Sequence, residues 1–194
     1  MCVICVSEKG KRQPTVAELK AMFHQNKDGA GYMWVSNGAV KIRKGFMTWR
    51  DFVEAWATEG FTADDVVVYH FRISTQGGVK PEMTQPFPLT NKLAITEMTR
   101  IRRCGCGIAH NGIIPVTADA DDLEYSDTAR FITEYLSWML ITRNDVNNPK
   151  KQEQIRRLIG WSKLAILTTD GEVTTIGDFT EVDGIKVSNT YWRR

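Results

Sequence analysis

Several things are scarce in this sequence, and each scarcity narrows what the chain can do. No apolar run approaches the length of a membrane span. Neither sign of charge dominates: 25 basic and 23 acidic residues leave a net charge of +2 among 194 residues. Such a balance supplies no electrostatic reason to bind nucleic acid or a membrane surface. The basic residues are scattered apart from the short runs Arg100–Arg103 and Arg193–Arg194. Internal repeats, low-complexity tracts and a linker that would split the chain are missing, as is a phosphate-cradling glycine-rich motif. The opening segment MCVICVSEKGKR has too short an apolar stretch, and no charged lead, to read as a signal peptide, so a cytoplasmic location is expected.

Cysteine is limited to Cys2, Cys5, Cys104 and Cys106. Disulfides are uncommon in the cytosol. The C-x-x-C and C-x-C spacings leave two readings, a zinc site or buried thiols packed as small apolar groups. Cys2–Val6 reads as a strand, in which residues 2 and 5 face opposite sides. The same alternation puts Cys104 and Cys106 on one face.

Periodicity predicts an α+β chain. Thr15 and Glu18 form a capping box that opens a helix to about Gln25, with Val16, Leu19, Met22 and Phe23 on its apolar face. Thr48 starts a second helix with Trp49, Phe52, Val53 and Trp56 as its stripe. Ser126-Asp127 caps a third, carrying Phe131, Tyr135 and Met139, and a fourth runs over about Lys150–Leu158. Strands are predicted at Cys2–Val6, Gly31–Val35, Ala39–Ile42, Val66–Ser74, Cys106–His110, Lys163–Thr168, Glu172–Ile176 and Ile185–Ser188. Asn37-Gly38, Asn111-Gly112 and Asp170-Gly171 are hairpin signals, so the sheets should be antiparallel.

The chemistry starts at Cys2. Loss of Met1, expected before a small second residue, would leave a thiol beside a free α-amine. With a reference pKa of about 7.7–8.0, that amine can take a proton near neutrality, which makes the pair an activated nucleophile. Taken by itself, Cys2 reads more readily as an incidental cysteine after Met1 than as a catalyst. In His70-Phe-Arg-Ile-Ser-Thr-Gln-Gly77, alternation puts His70, Arg72 and Ser74 on one side of a strand. Arg72 is either a solvated edge residue or a fork for a substrate carboxylate. Asn111-Gly112 is either a hairpin turn or a pair of converging donors, the Asn111 amide and the Gly112 N–H, that make an oxyanion hole. Asp127 is either part of a helix cap or the partner of a ligand ammonium group.

Taken in order, these segments resemble the class II glutamine amidotransferases of the N-terminal-nucleophile hydrolase superfamily. The resemblance rests on Cys2, the loop Asn26-Lys-Asp-Gly-Ala-Gly31, HFRISTQG, QPFP at Gln85–Pro88, AHNGII and Ser126-Asp-Thr128. It is closest to the short stand-alone bacterial and phage members, which share the GEVTTIGDF tail and Ser188-Asn189. It implies a single glutamine amidotransferase domain over residues 1–194 and a four-layer αββα sandwich of two antiparallel sheets. It further implies that Cys2 attacks the glutamine side-chain amide to form a thioester and release ammonia. Asn111 and Gly112 would hold the oxyanion, Arg72 and Thr75 the α-carboxylate, and Asp127 the α-ammonium of L-glutamine. No cofactor or metal is implied. The ammonia would pass to a separate synthase or ATP-dependent ligase, with no nucleic acid or membrane partner. Two other readings keep the pocket: an amidase for another γ-glutamyl or acyl amide, and a silent glutamine-binding module. Gln76 and Gln85 stand where many relatives have His, and Val3 where larger relatives have Gly. His70 and His110 read as supporting or packing histidines.

Overall fold

The computed structural model describes residues 1–74, 78–115 and 125–193. Its strands are β1 (Val3–Ser7), β2 (Ala30–Ser36), β3 (Ala39–Phe46), β4 (Val67–Phe71), β5 (Phe87–Pro88), β6 (Arg100–Cys104), β7 (Cys106–Asn111), β8 (Lys163–Thr168), β9 (Val173–Ile176), β10 (Thr180–Val182) and β11 (Ile185–Val187). The larger helices are α1 (Val16–Gln25), α2 (Trp49–Glu59), α3 (Asp127–Phe131) and α4 (Pro149–Ile159). A π-helical turn, Ile132–Leu136, extends α3.

One sheet has the order β10-β11-β1-β4-β2-β3-β6 and the other β5-β7-β8-β9. The strand pairings are antiparallel throughout. Alternation along β1 explains the layering. Val3 and Cys5 point outward into an aromatic core with Phe23, Phe52, Tyr69 and Phe71 beneath α1 and α2. Ile4 and Val6 point inward against Ala109, Ala165 and Leu167 of the other sheet. A third core joins Ile108 and Ile166 to Phe131 of α3 and Ile155 of α4. Each fully buried Ile or Phe contributes roughly 1.5–3 kcal/mol, which is what holds the layers together. The chain is thus α+β, a four-layer αββα sandwich.

Thr15 accepts from the Glu18 N–H while Glu18 accepts from the Thr15 N–H, so the predicted capping box opens α1. Arg12 grips both Glu18 oxygens at 2.7 Å and holds that carboxyl down to about 2. Val16, predicted on the buried face, is exposed, and Leu19, Met22 and Phe23 alone form the buried stripe.

Three further expectations are corrected, and three strands are added. Asn111-Gly112 is not a hairpin turn: the antiparallel neighbour that pairs with β7 along its whole length is β8, which begins only at Lys163, so the chain leaving Asn111 does not turn straight back. Cys104 and Cys106 do not share a face, because Gly105 carries the chain from one sheet to the other; Cys104 packs between the sheets and Cys106 outside the second. The fourth strand stops at Phe71, short of the predicted Ser74. Strands β5, β6 and β10 were not legible, being very short or rich in charge at a sheet edge. Asn37-Gly38 and Asp170-Gly171 do join β2 to β3 and β8 to β9.

Candidate active site

Cys2 immediately precedes β1, on the side facing the second sheet. Its Sγ lies 3.5 Å from both the N–H and the carbonyl oxygen of Ile73. The strand register explains that contact, since Val3 pairs with Phe71 and brings the residues beyond both strand ends together. Burial pushes the Cys2 thiol up, against the pull of the Ile73 N–H, the nearby ammonium of the chain terminus and Arg72. A thiol so placed needs a base before it becomes a nucleophile.

Arg72 follows β4 and is 4% exposed. Its backbone N–H donates to Gly29 O at 2.8 Å, and its carbonyl accepts from the Asp28 N–H at 3.0 Å. The Asp28 carboxylate accepts from the Ser74 N–H at 2.9 Å, so the 26–31 loop holds the segment around Arg72. One guanidinium N–H reaches Gly78 O at 2.6 Å. Burial opposes the Arg72 charge, while Cys2, Asp28 and Asp127 support it.

Gly112 leaves β7 at φ +139°, and a Cβ there would sit 2.9 Å from Ser162 Cα. Only glycine lets the chain pass Ser162 in this conformation. Asn111 is buried, with Nδ2 2.9 Å from Ser188 Oγ. Ser126, not Asp127, supplies the helix cap through its bond from the Ala129 N–H at 3.1 Å. That leaves the Asp127 carboxylate to accept from the Ile114 N–H at 2.9 Å and from Thr128 N and Oγ1 at 2.7 and 3.2 Å.

Cys2, Arg72, Ile73, Gln85, Gly112 and Asp127 wall one cavity of about 20 Å³, which is room for roughly one water. Accepting a ligand the size of an amino acid therefore requires these side chains to move apart. Of the residues singled out by sequence, Cys2, Arg72, Gly112 and Asp127 meet at this point. Asn111 lies behind it on Ser188, and Thr75 and Gln76 fall outside the described residues.

Sequence reasoning left the supporting frame without roles. Gln85 Oε1 accepts from the His110 N–H at 2.7 Å, and Gln85 Nε2 donates to Thr128 Oγ1 at 3.3 Å. His110 Nδ1 lies 2.8 Å from that same Thr128 oxygen. With the Thr128 hydroxyl donating to Asp127, the contact is completed by the His110 tautomer that carries its proton on Nδ1. His70 Nε2 is 2.9 Å from His110 O. Burial holds both rings neutral, His110 down to about 4 and His70 to about 3. His110 also borders the cavity beside Gly112, whereas His70 does not line it. The tail adds Asn189, whose Nδ2 donates to Cys2 O at 2.7 Å. Its only signal was the Ser188-Asn189 pair. Among the described residues, no three His, Cys, Asp or Glu side chains gather as a metal site would need, and no helix is long and apolar enough to cross a membrane.

Solved structures of known proteins carry the same architecture. One, titled the allosteric regulatory enzyme of purine biosynthesis, superposes with a TM-score of 0.61 over 96% of this chain at 17% identity. Another, glutamine phosphoribosylpyrophosphate amidotransferase from B. subtilis complexed with ADP and GMP, gives 0.55 over 96% at 13% identity. The chain has the fold of these enzymes. It spans 41% of the length of each. No protein-family profile matches the sequence, and no curated protein matches it.

Proposed function

We propose that residues 1–194 form a glutaminase domain of the class II amidotransferase type, with Cys2 as nucleophile and L-glutamine as substrate. The observation that carries this reading is the meeting of Cys2, Arg72, Gly112 and Asp127, from four separate stretches of chain, around one buried cavity. The glutamine amidotransferase among the structural neighbours supports it at the level of the fold.

The reaction follows from the groups present. After Met1 is lost, the Cys2 α-amine takes the thiol proton and sulfur attacks the side-chain amide carbon. The oxyanion receives hydrogen bonds from Asn111 and from the Gly112 N–H, the kind of donor pair whose members are each worth about 2.7–4 kcal/mol. The C–N bond breaks as the amine returns its proton to nitrogen, giving ammonia and a Cys2 thioester. Water then cleaves the thioester to glutamate and free thiol. Arg72, with Thr75, binds the α-carboxylate and Asp127 the α-ammonium; these contacts set the geometry of attack. The ammonia goes to an acceptor outside these residues, a synthase or ATP-dependent ligase, in keeping with neighbours more than twice as long.

The decisive experiment incubates Met1-free protein with glutamine and measures ammonia for the wild type and Cys2→Ala. Release by the wild type alone is expected. Equal release from both overturns the proposal, and hydrolysis of other amides but not glutamine replaces the substrate.

A further inference from the structure

Ser188 follows β11 and is 1% exposed. Its backbone is pinned on both sides: its N–H donates to Ile4 O at 2.9 Å, and its carbonyl accepts from Lys163 Nζ at 2.5 Å. Its hydroxyl therefore has a defined place, where Oγ accepts the Ile4 N–H at 2.9 Å and stands 2.9 Å from Asn111 Nδ2.

A hydroxyl has one proton and two lone pairs. With the Asn111 nitrogen turned toward Ser188, both lone pairs face N–H donors, and the hydroxyl proton has no acceptor among the described residues. In the same arrangement Asn111 Oδ1 is buried with no donor among the described residues. The two ends of an amide are nearly equal in shape, so a half-turn of the group fits the same space. That half-turn gives the Ser188 proton and Asn111 Oδ1 to each other, and leaves the Asn111 NH₂ as the group with no acceptor among the described residues, a donor open to an incoming oxyanion. Ser188 then donates to Asn111 Oδ1, keeps the Ile4 N–H, and releases the Asn111 NH₂ from Ser188.

We infer that Ser188 is a positioning residue of the reaction: its hydroxyl holds Asn111 Oδ1 and so presents the Asn111 NH₂, beside the Gly112 N–H, to the oxyanion. This rests on the glutaminase reading, in which Asn111 is an oxyanion donor. The orientation is decisive, because an amide oxygen turned to the oxyanion would repel the charge that the nitrogen stabilises.

The test compares wild type, Ser188→Ala, Ser188→Thr, Asn111→Ala and the double variant Ser188→Ala/Asn111→Ala, all freed of Met1. Loss of an oxyanion donor lowers kcat by about 10²–10³-fold. Ser188→Ala, which loosens the donor without removing it, should lower kcat by roughly 10–100-fold with KM for glutamine within about twofold. Ser188→Thr, retaining the hydroxyl, should recover most of that loss. In the Asn111→Ala background, Ser188→Ala should cost less than about twofold, since its partner is gone. Iodoacetamide alkylation of Cys2, which uses no oxyanion donor, should keep its rate in Ser188→Ala. Equal loss in both backgrounds, or slowed alkylation, would mean that Ser188 only supports β1, and the inference fails. The amide orientation has its own readout: in ¹⁵N-labelled protein, the Asn111 NH₂ protons should show at most weak NOEs to the Ser188 β-protons. Strong NOEs there overturn the inference whether or not glutamine is hydrolysed. A wild type that releases no ammonia but shows weak NOEs removes the glutaminase reading and leaves the Ser188 hydrogen bond standing.

Discussion

The side-chain amide of Asn189 donates to the backbone carbonyl of Cys2 at 2.7 Å, joining the two ends of a chain across 187 positions. β11 lies alongside β1, so sheet pairing delivers this segment to Cys2. Replacing Asn189 with Ala strips the Cys2 carbonyl of this partner, a loss of roughly 1–2 kcal/mol. For a chain of this size that corresponds to a Tm lower by about 2–8 °C. Calorimetry checks it; an unchanged Tm would show that the bond contributes nothing net.

In the proposed mechanism, Met1 decides whether the thiol has a base. With Met1 in place the α-amine belongs to the wrong residue, and burial holds the Cys2 thiol up. Protein that retains Met1, identified by intact mass, should release ammonia at least 100-fold more slowly than processed protein, the scale of a lost general base. Full activity with Met1 retained would overturn the amine-as-base mechanism.

Arg72 should act on substrate affinity. Arg72→Lys keeps a charge and loses the planar fork. We expect KM for glutamine to rise by roughly 10–100-fold, the scale of one charge-assisted hydrogen bond of about 1.5–3 kcal/mol. Steady-state kinetics with glutamine read this directly, and a KM within twofold of wild type would remove Arg72 from the α-carboxylate.

Gly112→Ala places a Cβ against Ser162 at a backbone angle that side chains rarely adopt. The combined collision and strain should cost about 2–4 kcal/mol of stability. The displaced N–H should reduce kcat as well. Urea unfolding alongside the ammonia assay tests both effects, and wild-type stability would mean that the 112–115 segment yields easily.

The buried histidines predict how stability responds to acid. Burial lowers His70 to about 3 and His110 to about 4, from an ordinary value near 6.5. The unfolded chain therefore binds more protons than the folded one between pH 6.5 and about 4. Stability from these groups is complete above pH 6.5 and falls as pH drops through that window, by up to about 1.4 kcal/mol per pH unit for each ring. Urea midpoints at pH 7, 6 and 5 should fall accordingly, and less steeply in His110→Gln. Identical slopes in the variant and wild type would exclude His110 from this linkage.

The legible parts were those in which neighbouring residues in the chain carry the signal. The Thr15–Glu18 box opened α1, and Asn37-Gly38 turned β2 into β3, because capping and tight turns are local hydrogen-bonding problems. Alternation likewise placed His70 on the opposite side of its strand from Tyr69 and Phe71. The same local logic misled at Asn111-Gly112, where a strong turn signal ends a strand whose full-length partner, β8, comes from far along the chain. Cys104 and Cys106 failed for a related reason: a period of two holds only while the chain stays in one strand, and Gly105 ends one.

Sequence alone determined which groups were available: a thiol at position 2, a guanidinium at the end of a hydrophobic strand, a glycine after Asn111, a carboxylate at the start of a helix. Tertiary structure alone decided that they meet. The strand register set Ile73 against Cys2, Ser126 took the cap and freed the Asp127 carboxylate, and β11 brought Ser188 to Asn111 and Asn189 to Cys2. Those outcomes depend on which strand occupies which edge, a competition among distant segments that no local pattern records.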